Sequence, residues 1–384
     1  MLQENHKKVK KLIFLYFYIY EMQFIPSCQC WILEKGRLLL TPILLGFSVF
    51  CNAWHFLYQL ESTENILDIS LNTNFLIGGF GTLCSILIVN IGLKENHLQA
   101  HTYFENLVEP YEDFITAARE EYLNRNLRIA NTVVRFFLTE HSMTCMIFPV
   151  LSFYQTNFTA AMFYTFPGIP SSSVFFYPVN IIGGLIIFCC VVEWYIMMDS
   201  LFFLYLFYFR GEMHSIAGVA KLLSHRENVS LYCNEILRSI YLAHHKLLQE
   251  FSNLSDTLWH FYCHRLLATI FIVCSSLYVY YASIDSSILS GMILQMLAVS
   301  LLIILCVPGQ LIDDCSETLR ETLYNSLWYE MMPMEQRNFI IIFMGAQKNL
   351  SAETFAVGVI SFDTFVQGMK TAMSYAAFMY TFLM

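Results

Sequence analysis

The sequence predicts an all-α protein that crosses a membrane seven times. Hydrophobic residues make up 57% of its 384 residues and charged residues only 13%, whereas a soluble domain averages about 45–50% apolar and about 25% charged residues. Aromatic residues account for 16%, which fits helices that pack against lipid and against one another. Seven apolar runs are long enough to cross a hydrocarbon core of about 30 Å. They lie at 38–58, 73–93, 133–155, 179–209, 266–284, 288–308 and 361–384.

The stretch before the first span has a basic start and an apolar middle. Its apolar run, Leu12 to Tyr20, is too short to cross the bilayer, and no small-residue cleavage site follows it. We therefore expect an interfacial amphipathic segment on the cytoplasmic leaflet, not a signal peptide. The chain then divides into an N-terminal segment, spans one to four, a cytoplasmic helical region, spans five and six, cytoplasmic anchor helices and a last span. These regions cover 1–37, 38–209, 210–265, 266–308, 309–350 and 351–384.

The distribution of Lys and Arg predicts a cytoplasmic N-terminus and an extracellular C-terminus. None of the 21 basic residues falls in the loops at 59–72, 156–178 and 285–287, and basic residues favour the cytoplasmic side of short loops. A G-protein-coupled receptor has the reverse arrangement. The helices expected in the two cytoplasmic regions carry apolar stripes, which need partners in the same chain or in another subunit.

Four glycosylation sequons can be set against this topology. "NFT" at Asn157 falls in a predicted outer loop, so Asn157 is the expected glycosylation site, although such short motifs occur often by chance. The other three lie in predicted cytoplasmic regions, at Asn228, Asn253 and Asn349. None of the twelve cysteines lies in an outer loop, so no extracellular disulfide framework is expected.

The chain contains no nucleophile elbow, P-loop or dinucleotide-binding fingerprint, so we do not expect an enzyme. His260 and His264 have the four-residue spacing of a metal-binding pair, but no acidic residue stands at the HExxH position. We read them as ordinary helix-surface histidines. We therefore expect no metal, no cofactor and no nucleic-acid partner, with membrane lipid as the surroundings.

Ionisable residues fall inside two of the spans. Arg135, Glu140 and His141 lie in the inner half of the third span, and Glu193 lies at comparable depth in the fourth. Such groups are costly in lipid and usually pair with one another or face water. We expect Glu193 to form a buried ion pair with Arg135 or His141, in a structural or a functional role.

The outer halves of spans two to six are rich in methionines, aromatics and small residues. Such residues can line a small apolar cavity with a few polar groups, which is the kind of pocket that binds small hydrophobic ligands. The same residues would pack a dry core equally well. The candidate ligand-binding residues are Phe75, Gly79, Thr82, Ser142, Cys145, Met146, Phe148, Pro149, Tyr177, Gly183, Tyr278, Met292, Gln295 and Met296.

The last span carries polar residues at a strict helical spacing. They fall at i, i+3, i+7, i+10 and i+17, on one narrow face, and are Thr364, Gln367, Thr371, Ser374 and Thr381. Phe378 stands at i+14. The same stripe from several subunits can line a pore, with the ring of Phe378 as a constriction that closes by dewetting and Thr381 just outside it. Alternatively, the hydroxyl groups bond neighbouring helices in an ordinary bundle.

The segment 305–384 contains a set of motifs that recur in one family. They are Tyr324, "WY" at 328–329, Arg337, Met344, Gln347–Lys348 and "SY" at 374–375. In these motifs, and over essentially its whole length, the chain resembles an odorant-tuned subunit of the insect odorant receptor family. The related gustatory receptors end in T-Y-x5-Q-F, which here reads Ser374-Tyr375-x5-Thr381-Phe382. Ser for Thr and Thr for Gln favour the odorant branch, and the chain lacks the long insertion of the family's co-receptor.

The resemblance implies a tetrameric, ligand-gated, non-selective cation channel formed with the odorant co-receptor. It implies that the last helix lines the pore, that cytoplasmic helices join the subunits, and that a small volatile odorant binds in the outer leaflet. Phe378 matches the family's hydrophobic gate and Thr381 a polar gate residue. The expected location is the plasma membrane of an olfactory neuron dendrite. The alternatives are a gustatory-type channel, a G-protein-coupled receptor, whose DRY and NPxxY patterns are absent, and a transporter, for which no inverted repeat is found.

Overall fold

The computed structural model describes most of the chain, and the fold is given for those residues. They are 1–20, 31–59, 66–87, 94–109, 114–155, 166–169, 172–282, 288–354 and 358–383. The helices in this part are α1 (Leu2–Tyr20), α2 (Trp31–Trp54), α3 (Ile66–Leu87), α4 (Lys94–Val108), α5 (Phe114–Ala118), α6 (Asn124–Gln155), α7 (Phe176–Lys221), α8 (Arg226–Ala282), α9 (Ile288–Tyr324), α10 (Pro333–Ala346) and α11 (Phe362–Leu383). Short π-helical or 3₁₀ turns connect some of them, at His55–Gln59, Arg119–Leu123, Leu222–Ser224 and Trp328–Glu330.

Three helices are much longer than a bilayer is thick. α7, α8 and α9 have 46, 57 and 37 residues, which correspond to about 69, 86 and 56 Å of helix against a hydrocarbon core of about 30 Å. Each therefore continues from the membrane into a helical region beyond it. The expected sixth span and the cytoplasmic helix after it form one continuous helix, α9, which runs through Pro308.

Within the described residues, four stretches are both long and apolar enough to cross a membrane by themselves. They are Leu40–Tyr58, Phe176–Ser224, Trp259–Tyr278 and Gln295–Glu330. The remaining expected spans correspond to α3, α6 and α11, with 22, 32 and 22 residues. A helix of 22 residues is about 33 Å long, which is enough to cross the hydrocarbon core.

The centre of the molecule is the second half of α7. Nearly every side chain from Trp194 to Ala220 is buried, as expected for a helix that is apolar all round. α6, α8 and α9 pack around it. α4 adds an aromatic cluster in which the Phe104 ring stacks on that of Tyr208 with centroids 4.3 Å apart. This packing explains why the apolar run of the fourth span exceeds the membrane thickness.

The N-terminal helix α1 is docked on this core. Val9 and Ile13 are buried against it, and His6 Nδ1 lies 2.9 Å from the Tyr208 hydroxyl. Phe14 and Leu15, on the other side, are 60% and 43% exposed. α1 is thus amphipathic, and its apolar stripe is covered by protein as far as Ile13.

A short hairpin joins α10 to α11. β1 (Glu353–Thr354) and β2 (Gly358–Val359) pair antiparallel, with Glu353 opposite Val359 and Thr354 opposite Gly358. Gly358 has a φ of 78°, a conformation that glycine adopts without the steric penalty other residues pay. The hairpin fixes where α11 begins.

Candidate functional site

The two faces of α11 differ sharply in burial. Gln367, Thr371, Ser374, Phe378 and Thr381 are all exposed on the surface of the single chain, and the Phe378 side chain is 57% exposed. The opposite face is buried and made of small residues, Gly368, Ala372 and Ala376. The polar stripe identified in the sequence therefore faces away from the chain's own core.

The buried face of α11 lies against α8 and α9. A Cβ added at Gly368 would lie 3.4 Å from Ile270 Cγ1 and 3.6 Å from Leu302 Cδ2, so a methyl group there would be in direct van der Waals contact with both helices. Ala372 and Ala376 belong to one apolar cluster with Tyr195, Ile272 and other residues of α7, α8 and α9. Small residues at this interface allow the helix backbones to approach closely.

Thr364 departs from the stripe predicted for it. It is 3% exposed, and its hydroxyl donates a 3.0 Å hydrogen bond to the Val359 carbonyl and accepts one of 3.3 Å from the Ser361 backbone N–H. Because α11 begins only at Phe362, Thr364 lies in the first turn, where side chains satisfy unpaired backbone groups. It is therefore a capping residue and not part of the exposed stripe.

The base of α11 is fixed to α9 by a close backbone contact. A Cβ added at Gly309 would collide with the Ile360 carbonyl oxygen, so only glycine fits there. One residue further along α9, Gln310 Oε1 accepts a hydrogen bond from the Phe362 backbone N–H at 3.3 Å. These two contacts connect the start of α11 directly to α9.

The hydroxyl groups on the exposed stripe bond within their own helix. Ser374 donates to the Lys370 carbonyl and Thr381 to the Ala377 carbonyl, each at 2.9 Å. Such bonds satisfy the hydroxyl proton and leave oxygen lone pairs on the helix surface.

α10 also exposes an apolar face. Phe339, Ile342 and Ala346 are buried against the chain. On the other side, Ile340 and Met344 are 55% and 65% exposed. Further exposed apolar side chains on and beside α10 are Trp328, Tyr329, Met332, Met334 and Ile341. A contiguous exposed apolar surface of this kind is typical of a protein–protein contact.

Two of the candidate pocket residues meet in an aromatic cluster in the outer part of the bundle. Phe75 stacks on Phe188, with ring centroids 5.5 Å apart. A Cβ added at Gly183 would lie 2.6 Å from Phe166 Cε2, so glycine makes room for that ring, which also stacks on Phe47. The Phe166 backbone N–H donates a 2.6 Å hydrogen bond to the buried side-chain oxygen of Asn180. Phe166 and Asn180 are not among the predicted ligand-binding residues, although Asn180 stands out as a polar residue in an apolar run.

Three more candidate pocket residues make polar contacts inside the bundle. Thr82 donates to the Gly78 carbonyl of its own helix at 2.8 Å, and Gln295 Oε1 accepts a 2.6 Å hydrogen bond from Ser276. The third, Ser142, donates to Glu193 Oε1 at 2.8 Å.

The other candidates are dispersed. Gly79 faces Val49 of α2, and Tyr278 is buried. Four candidates are exposed on the outside of the chain, by 46 to 72%, and do not converge on an enclosed cavity: Met146, Tyr177, Met292 and Met296. The side chains of three candidates lie outside the described part of the structure: Cys145, Phe148 and Pro149. The glycosylation candidate, Asn157, lies outside it as well.

The ion pair expected for Glu193 is not formed among the described residues. Glu193 accepts its hydrogen bond from Ser142, which lies about 10 Å further along α6 than Arg135. Arg135 is exposed and donates to Asn131. His141 is 3.1 Å from Glu140 and points toward Ser300 of α9. The relative height of α6 and α7 therefore gives Glu193 a hydroxyl partner instead of a cation.

The structure shows a different buried ion pair that the sequence analysis missed. The side chains of Asp199 and Arg265 are 1% and 0% exposed, and Arg265 Nη2 lies 2.8 Å from Asp199 Oδ2. The guanidinium also donates to the Tyr195 carbonyl at 2.5 Å and stacks 3.0 Å from the centre of the Tyr195 ring. This pair joins α7 to α8. Asp199 could have been noticed in the sequence, because it is an acidic residue within the long apolar run of α7.

The histidine pair on α8 has other partners. His264 Nδ1 contacts the His260 carbonyl at 2.9 Å and its Nε2 contacts Ser85 at 2.7 Å. No group of three or more metal-ligating side chains occurs in the described part of the chain.

Known proteins that are similar to this chain are also membrane receptors. The family described as "7tm Odorant receptor" matches residues 64–373. The chain belongs to the odorant receptor family. This confirms the resemblance identified in the sequence and makes the protein a membrane receptor, not an enzyme.

Solved structures show the same fold. The insect olfactory receptor OR5 from Machilis hrabei matches with a TM-score of 0.74 at 12% identity, over 97% of this chain and 98% of that one. The same receptor in complex with eugenol gives the same values. Curated protein sequences give no match. The expected fold class, an all-α membrane protein with seven membrane-spanning helices, is confirmed.

Proposed function

We propose that this odorant receptor is a subunit of a tetrameric, ligand-gated, non-selective cation channel in the plasma membrane, formed with the odorant co-receptor. In an olfactory neuron this membrane would be that of the dendrite. The chain would be oriented with its N-terminus in the cytoplasm, as the basic residues indicate. The ligand would be a small, volatile, hydrophobic molecule bound in the outer leaflet.

The exposed polar stripe of α11 carries this proposal. This face turns the Gln367 amide and the hydroxyl lone pairs of Ser374 and Thr381 away from the chain. Water or another subunit suits these groups better than lipid, which offers them no hydrogen bond. Four such helices around an axis would surround a water-filled path. Phe378 would form its narrowest ring, and Thr381 would stand one turn further out.

The exposed apolar face of α10 supports assembly. α10 belongs to the proposed anchor region, 309–350, and its exposed Ile340 and Met344 lie outside the proposed membrane spans. A helix with such a face is unfavourable in water unless another surface covers it. Packing against neighbouring subunits would bury it.

The eugenol complex of the similar Machilis receptor supports a small odorant as the ligand. In this chain, the aromatic cluster around Phe75, Phe188 and Phe166 offers an apolar wall between α3 and α7. Ser142 with Glu193, and Ser276 with Gln295, are polar pairs elsewhere in the bundle that a ligand site would use. Apolar walls with a few polar groups are typical of small-ligand sites.

Removing the proposed constriction tests the pore. Phe378→Ala should raise ligand-independent current several-fold when the chain is co-expressed with the co-receptor, because a hydrophobic ring that dewets no longer blocks water. Tyr380→Ala is the matched control, since Tyr380 is 42% exposed at nearly the same height but on another face. Equal basal currents for wild type and Phe378→Ala would remove Phe378 from the gate.

Adding a charge beside the proposed constriction tests the ion path. Thr381→Lys should lower cation current or shift its reversal potential, because a fixed positive charge in a narrow pore repels cations. A permeation unaffected by this change would place Thr381 away from the ion path.

Glycosylation tests the orientation without a ligand or partner. Asn157→Gln should remove the glycan from the chain expressed in cells, whereas a triple change of Asn228, Asn253 and Asn349 to Gln should not. Loss of the glycan only in the triple variant would invert the topology and contradict the channel proposal.

A further inference from the structure

A basic cavity opens between the non-membrane ends of α6, α7 and α9. Its volume is about 590 Å³, which lies within the range of small-ligand sites. Arg125 comes from α6, and Arg210 and Lys221 come from one face of α7, eleven residues apart. α9 supplies Thr318 and Asn325 on the opposite wall. No carboxylate is among the described residues that line the cavity.

The cationic groups of this cavity are incompletely satisfied. Arg210 donates one N–H to the Asn126 side-chain oxygen, but its buried Nε–H has no hydrogen-bond partner among the described residues. Asp314, one turn before Thr318 on α9, is the acidic group that acts on Arg210. Its side chain is held by Gln310 at 2.6 Å and does not line the cavity. A buried guanidinium N–H without an acceptor is unfavourable unless a ligand or water accepts a hydrogen bond from it.

His214 reports the electrostatic character of the same cavity. Burial, and then the positive charges of Arg210 and Arg125, lower the pKa of its imidazole to about 4. At neutral pH His214 is therefore neutral and can donate or accept a hydrogen bond. Arg210 and Lys221 line the α7 wall and Arg125 comes from α6, with no carboxylate among the described lining residues, so an anion there would be attracted by all three.

The position of the cavity suggests where the anion comes from. Arg210 is 34 residues from the start of α7, which is about 51 Å along the helix. A bilayer including its headgroups is about 40–45 Å thick. In the proposed orientation, with α7 starting at the outer membrane surface, Arg210 would lie at or just beyond the inner headgroup layer, and Lys221 would lie further into the cytoplasm.

We propose that this cavity binds an inositol ring that carries several phosphate groups, on the cytoplasmic side of the receptor. Arg125, Arg210 and Lys221 would hold at least two phosphate groups, and Asn325 and neutral His214 would donate to the remaining oxygens. Guanidinium groups pair with phosphate through two parallel N–H donors, which suits Arg125 and Arg210. The ligand would link α6 and α7 to α9, the helix that also fixes the base of α11. The site uses none of the residues of the proposed pore.

Binding should be measured on the purified full-length chain in nanodiscs. One arm uses soluble inositol trisphosphate with phosphatidylcholine nanodiscs, and the other uses nanodiscs that contain phosphatidylinositol bisphosphate. Arg125→Gln and Lys221→Gln, both at exposed positions, should each weaken binding about tenfold or more, as expected for loss of a charge-assisted contact. Arg238→Gln removes the same charge from an exposed position outside the cavity and should bind as the wild type does.

The two arms separate the sources of the ligand. Binding of inositol trisphosphate with this pattern of variants would identify a soluble cytosolic inositol phosphate as the ligand. Binding only in the lipid arm would identify a membrane phosphoinositide. The absence of binding in both arms would overturn the proposal. So would equal affinity for the wild type and for Arg125→Gln and Lys221→Gln. These outcomes do not depend on channel current, so they are independent of the proposed pore.

Discussion

The buried pair of Asp199 and Arg265 makes a sharp prediction about stability. Arg265→Met leaves the Asp199 carboxylate buried without its cation, and Asp199→Leu leaves the Arg265 guanidinium buried without its carboxylate. Breaking one partner of a buried pair costs about 3–5 kcal/mol. The almost complete burial of both side chains places this pair among those to which that range applies.

The double variant provides the decisive comparison. Asp199→Leu with Arg265→Met removes both charges and fills the space with apolar atoms, which is often neutral or stabilising. For 384 residues, an unfolding entropy of about 2.1 cal/mol/K per residue makes 4 kcal/mol equivalent to a fall in Tm of about 5 °C. Each single variant should show this fall, and the double variant should recover most of it.

The assay is thermal unfolding of the detergent-solubilised chain, followed by the loss of its monodisperse peak in size-exclusion chromatography. Arg238→Gln, an exposed charge change on the same α8 helix, is the control and should leave Tm within about 1 °C of the wild type, as surface substitutions usually do. If the double variant lost as much as the two single variants added together, the pair would not be coupled. The reasoning would then be wrong.

Two further changes test the fold outside the pore. Gly309→Ala should push the Ile360 carbonyl away from α9 and lower surface expression or ligand-evoked current, measured by surface labelling and recording; wild-type values would show that this contact is dispensable. Burial, and then the positive charge of His245, lower the pKa of His244 to about 4, below its ordinary value of about 6.5. The unfolded chain therefore binds more protons, and stability should fall by about 2 kcal/mol from pH 7 to pH 5. His244→Phe should remove that part of the acid sensitivity in thermal unfolding at the two pH values.

Matched controls exist for both changes. Gly46→Ala adds the same methyl group where nothing lies within 4 Å, so it should behave as the wild type. His245→Gln removes an exposed neighbouring imidazole and should leave the acid sensitivity nearly unchanged. An equal effect at the control position would mean that the buried environment is not the cause.

The sequence was sufficient to predict an all-α membrane protein and the exposed face of the last helix. Composition and apolar length indicate a membrane protein because lipid selects for both. The spacing of Gln367, Thr371 and Ser374 defines a face because the period of a helix is fixed. Thr364 follows the same spacing but caps the first turn, because periodicity does not specify where a helix begins.

Contacts between distant segments were not predictable in the same way. Whether Glu193 meets Arg135 or Ser142 depends on how far α6 is displaced along α7, and a single sequence contains no signal for that displacement. Asp199 and Arg265 lie 66 positions apart and meet only because α7 and α8 cross at their heights. Four candidate pocket residues, such as Met146 and Met296, lie exposed on the outside of the chain for a similar reason. Spacing identifies the face of each helix, but helix rotation decides whether Met146 or Met296 turns inward or toward the surface.

The small-residue face of α11 has a consequence for the speed of the proposed channel. Where large side chains interlock, turning a helix requires each of them to leave its hole, but Gly368, Ala372 and Ala376 present almost no projections to α8 and α9. A rotation of about 20° about the axis of α11 would carry the Phe378 ring about 2 Å, given a helix radius of about 5–6 Å with side chains. Of the larger side chains beside this face, Met369 and Met379 pack against the core, and methionine is flexible enough to follow such a movement. The interface would therefore favour rapid opening and closing of the proposed channel, while Phe365 and the hydrogen bond to Gln310 hold the start of α11.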